Sequence, residues 1–197
     1  MTIRFCPRCG GEVIYRVPAG DERPRAVCTA CGRIHYENPR VVVGSVCLWR
    51  GRVLLCRRAI EPRAGLWTIP AGYLELGETV EEGAVREARE EACVTIRPRH
   101  LLAVYSLPRI GQVQMMFLAE VVAGEPAPGH ETLEVGLFDF ATIPWAELAF
   151  PTVTRILRRA RAVCEEGAAP VPVLETERGG VGDPLSPPAA SPPRGSS

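Results

Sequence analysis

Three glutamates crowd the six residues Arg86-Glu87-Ala88-Arg89-Glu90-Glu91, and few local structures can carry such a cluster. On a helix, at about 100° per residue, Glu87, Glu90 and Glu91 fall within roughly a 100° arc of one face. Carboxylates held that close repel one another and raise each other's pKa unless a cation sits among them. All are hard oxygen donors, which suit Mg²⁺ or Mn²⁺ rather than zinc. Most acidic runs are solvated helix faces, so the neighbouring residues have to decide.

They point to a packed, positioned helix. Thr79 and Glu82 make a capping box that starts it near Val80. Val80, Ala84, Ala88 and Ala92 recur every fourth residue and offer a small-residue face for close packing on a sheet. Upstream, Trp67-Thr68-Ile69-Pro70-Ala71-Gly72-Tyr73-Leu74-Glu75-Leu76-Gly77-Glu78 reads as a strand and then a glycine-containing loop. The window resembles the Nudix hydrolase signature: glycine, five residues, glutamate, seven residues, then Arg-Glu-apolar-x-Glu-Glu-x-Gly-apolar. Gly72, Glu78, Arg86, Glu87, Glu90, Glu91 and Val94 fall in register. Cys93 stands where that family has glycine. If the position closes the helix in the left-handed region, a side chain there costs roughly 1 kcal/mol. No ligand is altered by it.

A second constraint lies near the start of the chain. Cys6-Pro7-Arg8-Cys9-Gly10 and Cys28-Thr29-Ala30-Cys31-Gly32 are two Cys-x-x-Cys knuckles separated by eighteen residues. Each knuckle can aim two thiolates at one point, so Cys6, Cys9, Cys28 and Cys31 complete a closed tetrahedral zinc site. A segment of about thirty residues buries too little to hold alone, so zinc would supply its folding energy. Residues 1–36 therefore read as a small zinc ribbon. A dithiol redox pair needs one knuckle, not two. Basic residues with interleaved aromatics are too few to favour nucleic acid, which leaves structural support or a dimer contact as the ribbon's expected role.

The remainder has an α/β pattern. Arg40 to Trp49 is a buried strand, and Val53 to Arg58 its hairpin partner across Arg50-Gly51-Arg52. Cys47 and Cys56, without knuckle neighbours, read as core thiols. Arg57, Arg58 and Arg63 are candidates for substrate phosphates, although scattered surface arginines are the commoner case. Further strands are expected at Val94 to Ser106, Val113 to Val122 and Glu131 to Phe138, with helices at 143–148 and from Thr152 to Glu166. From residue 167 the chain turns rich in proline, glycine and serine, so 37–166 is the expected domain and 167–197 a disordered tail. Net charge is zero, which removes a global basic field for nucleic acid. No apolar run approaches a membrane span, and the first residues lack the apolar core of a signal peptide. Eight cysteines in such spacing fit a reducing compartment, so the cytoplasm is expected.

What the resemblance implies is more specific. Nudix hydrolases are α/β/α sandwiches that cleave a nucleoside diphosphate linked to a second group. On that likeness Glu87 and Glu91 would ligate Mg²⁺ or Mn²⁺, Glu90 would be a further ligand or would orient the ligands from behind, and the Ala71 or Gly72 carbonyl and a late-loop carboxylate, Glu131 before Glu134, would complete part of the shell. Arg86 would hold the glutamates in register, and Glu78 the loop. Glu87, with Glu131 as the other candidate, would take the proton from the attacking water. A ribbon joined to such a domain is the layout of NADH pyrophosphatases, but their Ser-Gln-Pro-Trp-Pro-Phe-Pro stretch is replaced here by Ser106-Leu107-Pro108-Arg109-Ile110-Gly111-Gln112. The runs Ile60 to Glu75, Pro128 to Glu134 and Pro144 to Pro151 are instead similar to plant ADP-ribose and FAD pyrophosphatases. ADP-ribose or FAD is the expected substrate and NADH the alternative, with Tyr73, Tyr105 and Phe117 as candidate base-stacking residues. A nucleotide sensor without activity is a reading of another class, disfavoured by the intact glutamates. The resemblance also makes a homodimer an expected assembly.

Overall fold

Strand β4 (Arg40–Trp49) is the axis of the larger unit, because its middle, Val43 to Cys47, is buried and it has neighbours on both edges. Its run Val41-Val42-Val43 through Val46-Cys47-Leu48 is apolar without alternation, as a strand covered on both faces requires. The computed structural model describes residues 3–176. The chain divides after Asn38 into two units.

The first unit is a three-stranded antiparallel sheet of β1 (Val13–Arg16), β2 (Arg25–Cys28) and β3 (Ile34–His35). Cys6, Val13, Ala26 and Cys28 make up its buried cluster, and two of those four are knuckle cysteines.

In the second unit β4 is followed by β5 (Arg52–Arg58), β6 (Trp67–Thr68), β7 (Ala71–Tyr73), α1 (Val80–Ala92), β8 (Thr95–Leu107), β9 (Gln112–Ala123), β10 (Thr132–Phe138), α2 (Pro151–Cys164) and β11 (Val173–Thr176). The sheet runs β10-β5-β4-β9-β8-β11, with β6 on β5 and β7 on β4. The pairs β4–β9 and β8–β11 are parallel and the others antiparallel. Pro98 cannot donate to the ladder, and the β8–β9 register shifts between Pro98 and His100. The helix expected at 143–148 is a single 3-10 turn, Trp145–Glu147.

The helices lie on opposite faces, giving the α/β/α layering. Val153, Ile156, Leu157 and Ala160 of α2 join Val46, Tyr105, Met116 and Leu118 in one cluster. Ala88 and Ala92 of α1 join Cys47, Leu54, Cys56 and Ala119 in another. The capping box is formed: Thr79 Oγ1 accepts from the Glu82 N–H at 3.2 Å, and Glu82 Oε2 accepts from the Thr79 N–H at 2.8 Å. The inward face of α1 carries Gly83, Ala84, Ala88 and Ala92, small enough to let the helix close on the sheet, and the same face takes Glu87 and Glu91 inside.

Helix α1 ends in the left-handed region on a non-glycine residue, Cys93, at φ 58°. The expected result of Cys93→Gly is a stabilisation of roughly 1 kcal/mol by denaturant unfolding, because the Cβ penalty at positive φ disappears. An unchanged or lower midpoint would mean that the Cys93 thiol, 3.8 Å from the Pro128 carbonyl, contributes more than the strain costs.

The expected tail needs a correction. Residues 173–176, assigned above to a disordered segment, form β11 and pair in parallel with Ala103 to Ser106 of β8. Main-chain hydrogen bonds to a sheet edge hold such a strand without a core of its own, which composition does not reveal. The rest of the proline-rich segment, 177–197, lies outside the described residues. Among the described residues no helix is long and apolar enough to cross a membrane.

Candidate active site and zinc centre

Gly72 on β7 is the point around which the glutamates are arranged. A Cβ there would collide with the Glu87 carboxylate, so only glycine lets that side chain lie against the strand. Glu87 and Glu91, one helical turn apart, are buried at 8% and 7% exposure. Glu90 points outward, its side chain 58% exposed.

Arg86 binds the loop to the helix. Its guanidinium donates through Nε and Nη2 to Glu78 at 3.1 and 2.8 Å, and through Nη1 to Glu87 at 2.6 Å and Glu90 at 2.9 Å. Nη2 also donates to the Tyr73 carbonyl at 2.9 Å. Glu78 in turn accepts the Glu75 N–H at 2.7 Å. The Arg86 hydrogen bonds hold the Glu78 carboxyl below the usual range and raise the already high pKa of Arg86, Glu78 contributing most. One cation thus spans three carboxylates, and its fork geometry fixes their directions.

Glu91 is left out of that arrangement. Its Oε2 accepts the Ala71 N–H at 3.1 Å, and it has no ion pair among the described residues. Burial pushes its carboxyl up to about 8, opposed by the Ala71 N–H and by Arg58, while Glu87 and Glu131 add to the rise. Burial also raises Glu87, against the pull of Arg86. Buried carboxylates without matching positive charge are what a divalent cation would neutralise, and their oxygens are the donors that Mg²⁺ or Mn²⁺ takes. On this observation the residues fit the implied ion.

The late loop reaches the site by docking on the end of α1. The Glu91 and Ala92 carbonyls, unpaired within the helix, accept the N–H groups of Gly129 and Ala127 at 3.1 Å each. A Cβ on Gly129 would run into the Glu90 carbonyl, so the approach requires glycine. This seats His130 and Glu131 on the wall of a cleft of about 760 Å³ that also takes in Glu87, Glu90, Glu91 and Tyr73. Glu134 faces elsewhere, 3.5 Å from Arg57 on the strand edge. The three arginines also separate. Arg58 lines the cleft, Arg57 donates to the Gly65 carbonyl at 2.8 Å, and Arg63 lines a different hollow beside α2.

Of the expected base-stacking residues only Tyr73 borders the cleft, half exposed at 47%, with the Arg40 guanidinium 5.0 Å from its ring centroid. Tyr105 and Phe117 are core residues, at 1% and 5% exposure. Cys47 and Cys56 are buried in the core, and burial raises both thiols. Residues that sequence reasoning passed over are His130, Gln112 and Gln114 on the cleft wall. Gln114, a polar residue inside the apolar run Val113 to Val122, was the one legible signal.

In the first unit the four cysteine sulfurs all lie within 4.8 Å of one another, with Cys6–Cys31 at 3.9 Å and Cys9–Cys28 at 3.5 Å. Tetrahedral zinc with Zn–S near 2.3 Å calls for sulfurs about 3.8 Å apart, so the quartet fits that ion. The Cys31 N–H directed at the Cys28 sulfur, 3.4 Å away, leads the effects that bring that thiol down to about 6. Across the 3.5 Å contact the Gly11 N–H pulls the Cys9 thiol down, but Cys28 and Cys31 beside it push it up to about 12.

Residues 4–37 match the zinc-ribbon family described as Nudix N-terminal, and residues 38–159 match the NUDIX domain. The chain is similar to an ADP-ribose pyrophosphatase of Methanocaldococcus jannaschii, 35% identical over 58% of this chain and 69% of that protein. It is also similar to proteins named NAD-capped RNA hydrolase NudC: that of Stutzerimonas stutzeri is 38% identical over 66% of this chain, and that of Chromobacterium violaceum 30% identical over 80%. The match spans about half the length of those two relatives, 46% and 58%. Among solved structures, a NUDIX hydrolase from Nitrosomonas europaea superposes with a TM-score of 0.83 at 44% identity, covering 89% of this chain and 99% of that one.

Proposed function

The chain belongs to the Nudix hydrolase family, and from that membership and the cleft's chemistry we propose that it hydrolyses the pyrophosphate bond of a nucleoside diphosphate derivative, ADP-ribose or FAD first. Water attacks one phosphorus and the bridging P–O bond breaks, releasing AMP and ribose 5-phosphate or FMN. The observation that carries the reading is Glu91, buried and without an ion pair, beside Glu87 in the cleft.

Glu87, Glu90, Glu91 and Glu131, with the Ala71 carbonyl, would hold Mg²⁺ or Mn²⁺. When bound, the ion neutralises charge developing on the phosphoanhydride. The chain's own groups do the rest. Arg86 keeps Glu87 and Glu90 in one orientation, so little reorganisation is needed on reaction. Arg58, on the cleft wall, meets a substrate phosphate. Glu87 accepts the proton of the attacking water, with Glu131 on the opposing loop as the second candidate. Tyr73 offers a ring face to a base.

NADH is the second reading, from the layout of a ribbon joined to a Nudix domain, and the chain's similarity to proteins named NAD-capped RNA hydrolases supports an NAD-bearing substrate. A panel of ADP-ribose, FAD and NADH with Mg²⁺ or Mn²⁺ tests both, read by the AMP formed. The expected result is metal-dependent AMP release, abolished by EDTA, with the highest kcat/KM on ADP-ribose or FAD. Highest kcat/KM on NADH would transfer the assignment to the second reading. No AMP from any of the three would overturn the assignment as a hydrolase and favour a nucleotide sensor.

A further inference from the structure

The sheet face that packs against α2 is largely apolar, and polar side chains stand on it where β9 begins. There Gln112 and Gln114 project among Val42, Ile110, Met116 and Ile156, all of which border the cleft. Neither amide has a part in the phosphate chemistry, and two amides on an apolar wall call for an explanation.

Register places them beside the ring offered to a base. Val42 of β4 pairs with Tyr73 on one side and Gln114 on the other, so the three share one row across the sheet. The polar groups form a relay. Gln114 Nε2 donates to Gln112 Oε1 at 3.1 Å, and Gln112 Nε2 donates to the Tyr73 hydroxyl at 3.2 Å. Each amide nitrogen thereby gives one hydrogen bond, and the direction of the relay leaves an acceptor at its inner end. That acceptor, Gln114 Oε1, is buried and has no hydrogen-bond partner. A buried acceptor left unpaired is costly, and the cost is recovered when a ligand brings a donor to it.

We propose that Gln114, held by Gln112 and Tyr73, is a specificity-determining residue that accepts a hydrogen bond from the 6-amino group of an adenine lying along this wall. Aliphatic side chains of Val42, Ile110, Met116 and Ile156 cover the base, and Tyr73 flanks it. A hypoxanthine base, with a carbonyl in place of the amine, sets acceptor against acceptor and is rejected. The inference rests on the nucleotide reading of the same cleft, so it is tested by binding as well as by turnover.

Isothermal titration calorimetry with AMP and IMP gives the direct measurement on the full chain. The wild type is expected to bind AMP about tenfold more tightly than IMP. Gln114→Met, of similar length and apolar, is expected to bring the two within about twofold, and Gln112→Met, which frees the Gln114 amide to rotate, to narrow the ratio in the same direction. In turnover, the kcat/KM ratio of ADP-ribose to its hypoxanthine analogue follows the binding ratio. Equal affinity of the wild type for AMP and IMP, a preference for IMP, no binding of either, or a ratio unmoved by both variants overturns the proposal. Discrimination in binding with no hydrolysis of any dinucleotide upholds it and overturns only the hydrolase assignment. Hydrolysis of both analogues at the same kcat/KM does the reverse.

Discussion

Glu91→Gln is expected to lower kcat/KM by on the order of 10³ while leaving the fold intact, since it removes a charge from the place where a cation must be held. Gln keeps the shape of the side chain, and its Oε1 can still accept the Ala71 N–H, so packing is preserved. Stability separates this from general damage. Burial moves the Glu91 carboxyl from the ordinary 4.5 to about 8. Below about 4.5 both folded and unfolded chains carry the proton. As pH rises towards 8 the unfolded chain releases it and the folded chain keeps it, so this group's contribution to stability falls across that window. The metal-free variant loses that penalty, and its Tm at pH 7 should equal or exceed the wild type's. Added Mg²⁺ should raise the Tm of the wild type more than that of the variant. Near-normal turnover by Glu91→Gln would rule out Glu91 as a ligand, and a fall in Tm would mean its role is structural.

Local features were the legible ones. The capping box, the small-residue face and the inward arc of Glu87 and Glu91 depend on spacings of three and four residues, which a helix converts into neighbours. The same holds for the knuckles, where two residues between cysteines suffice to converge the sulfurs. What was not legible depends on which long-range surface a residue meets. Tyr105 sits in the same row as Tyr73, Val42 and Gln114, yet lies under α2 in the core, and strand alternation cannot say where a helix stops covering a sheet. Glu131 and Glu134 are three residues apart on similar sequence, but the Gly129 contact with the end of α1 brings only the first to the cleft. Gln114 reads as an oddity in an apolar strand until Gln112 and Tyr73 are beside it. β11 escaped notice because its hold on the sheet is main-chain pairing rather than apolar pattern.

Removing zinc is expected to unfold the ribbon and leave the sheet of the second unit standing. The ribbon's buried cluster is Cys6, Val13, Ala26 and Cys28, joined by the partly buried Ile3, and half of that core is sulfur intended for a metal. Apolar burial on this scale does not offset the conformational entropy of about thirty ordered residues. Structural zinc in comparably small domains contributes roughly 10–16 kcal/mol, so its loss decides the outcome. In Cys28→Ser, zinc by elemental analysis should fall from one ion per chain to near none. Hydrogen exchange should then lose protection at Val13–Arg16 and Arg25–Cys28, the paired strands β1 and β2. Protection at Arg40–Trp49 and Gln112–Ala123 should persist, because β4 and β9 pair over nine residues and are covered by both helices. A strong chelator on the wild type should reproduce the pattern, and zinc added back should reverse it. Full protection of β1 and β2 in the zinc-free protein would show that apolar contacts suffice, and the sulfur quartet would then need another explanation.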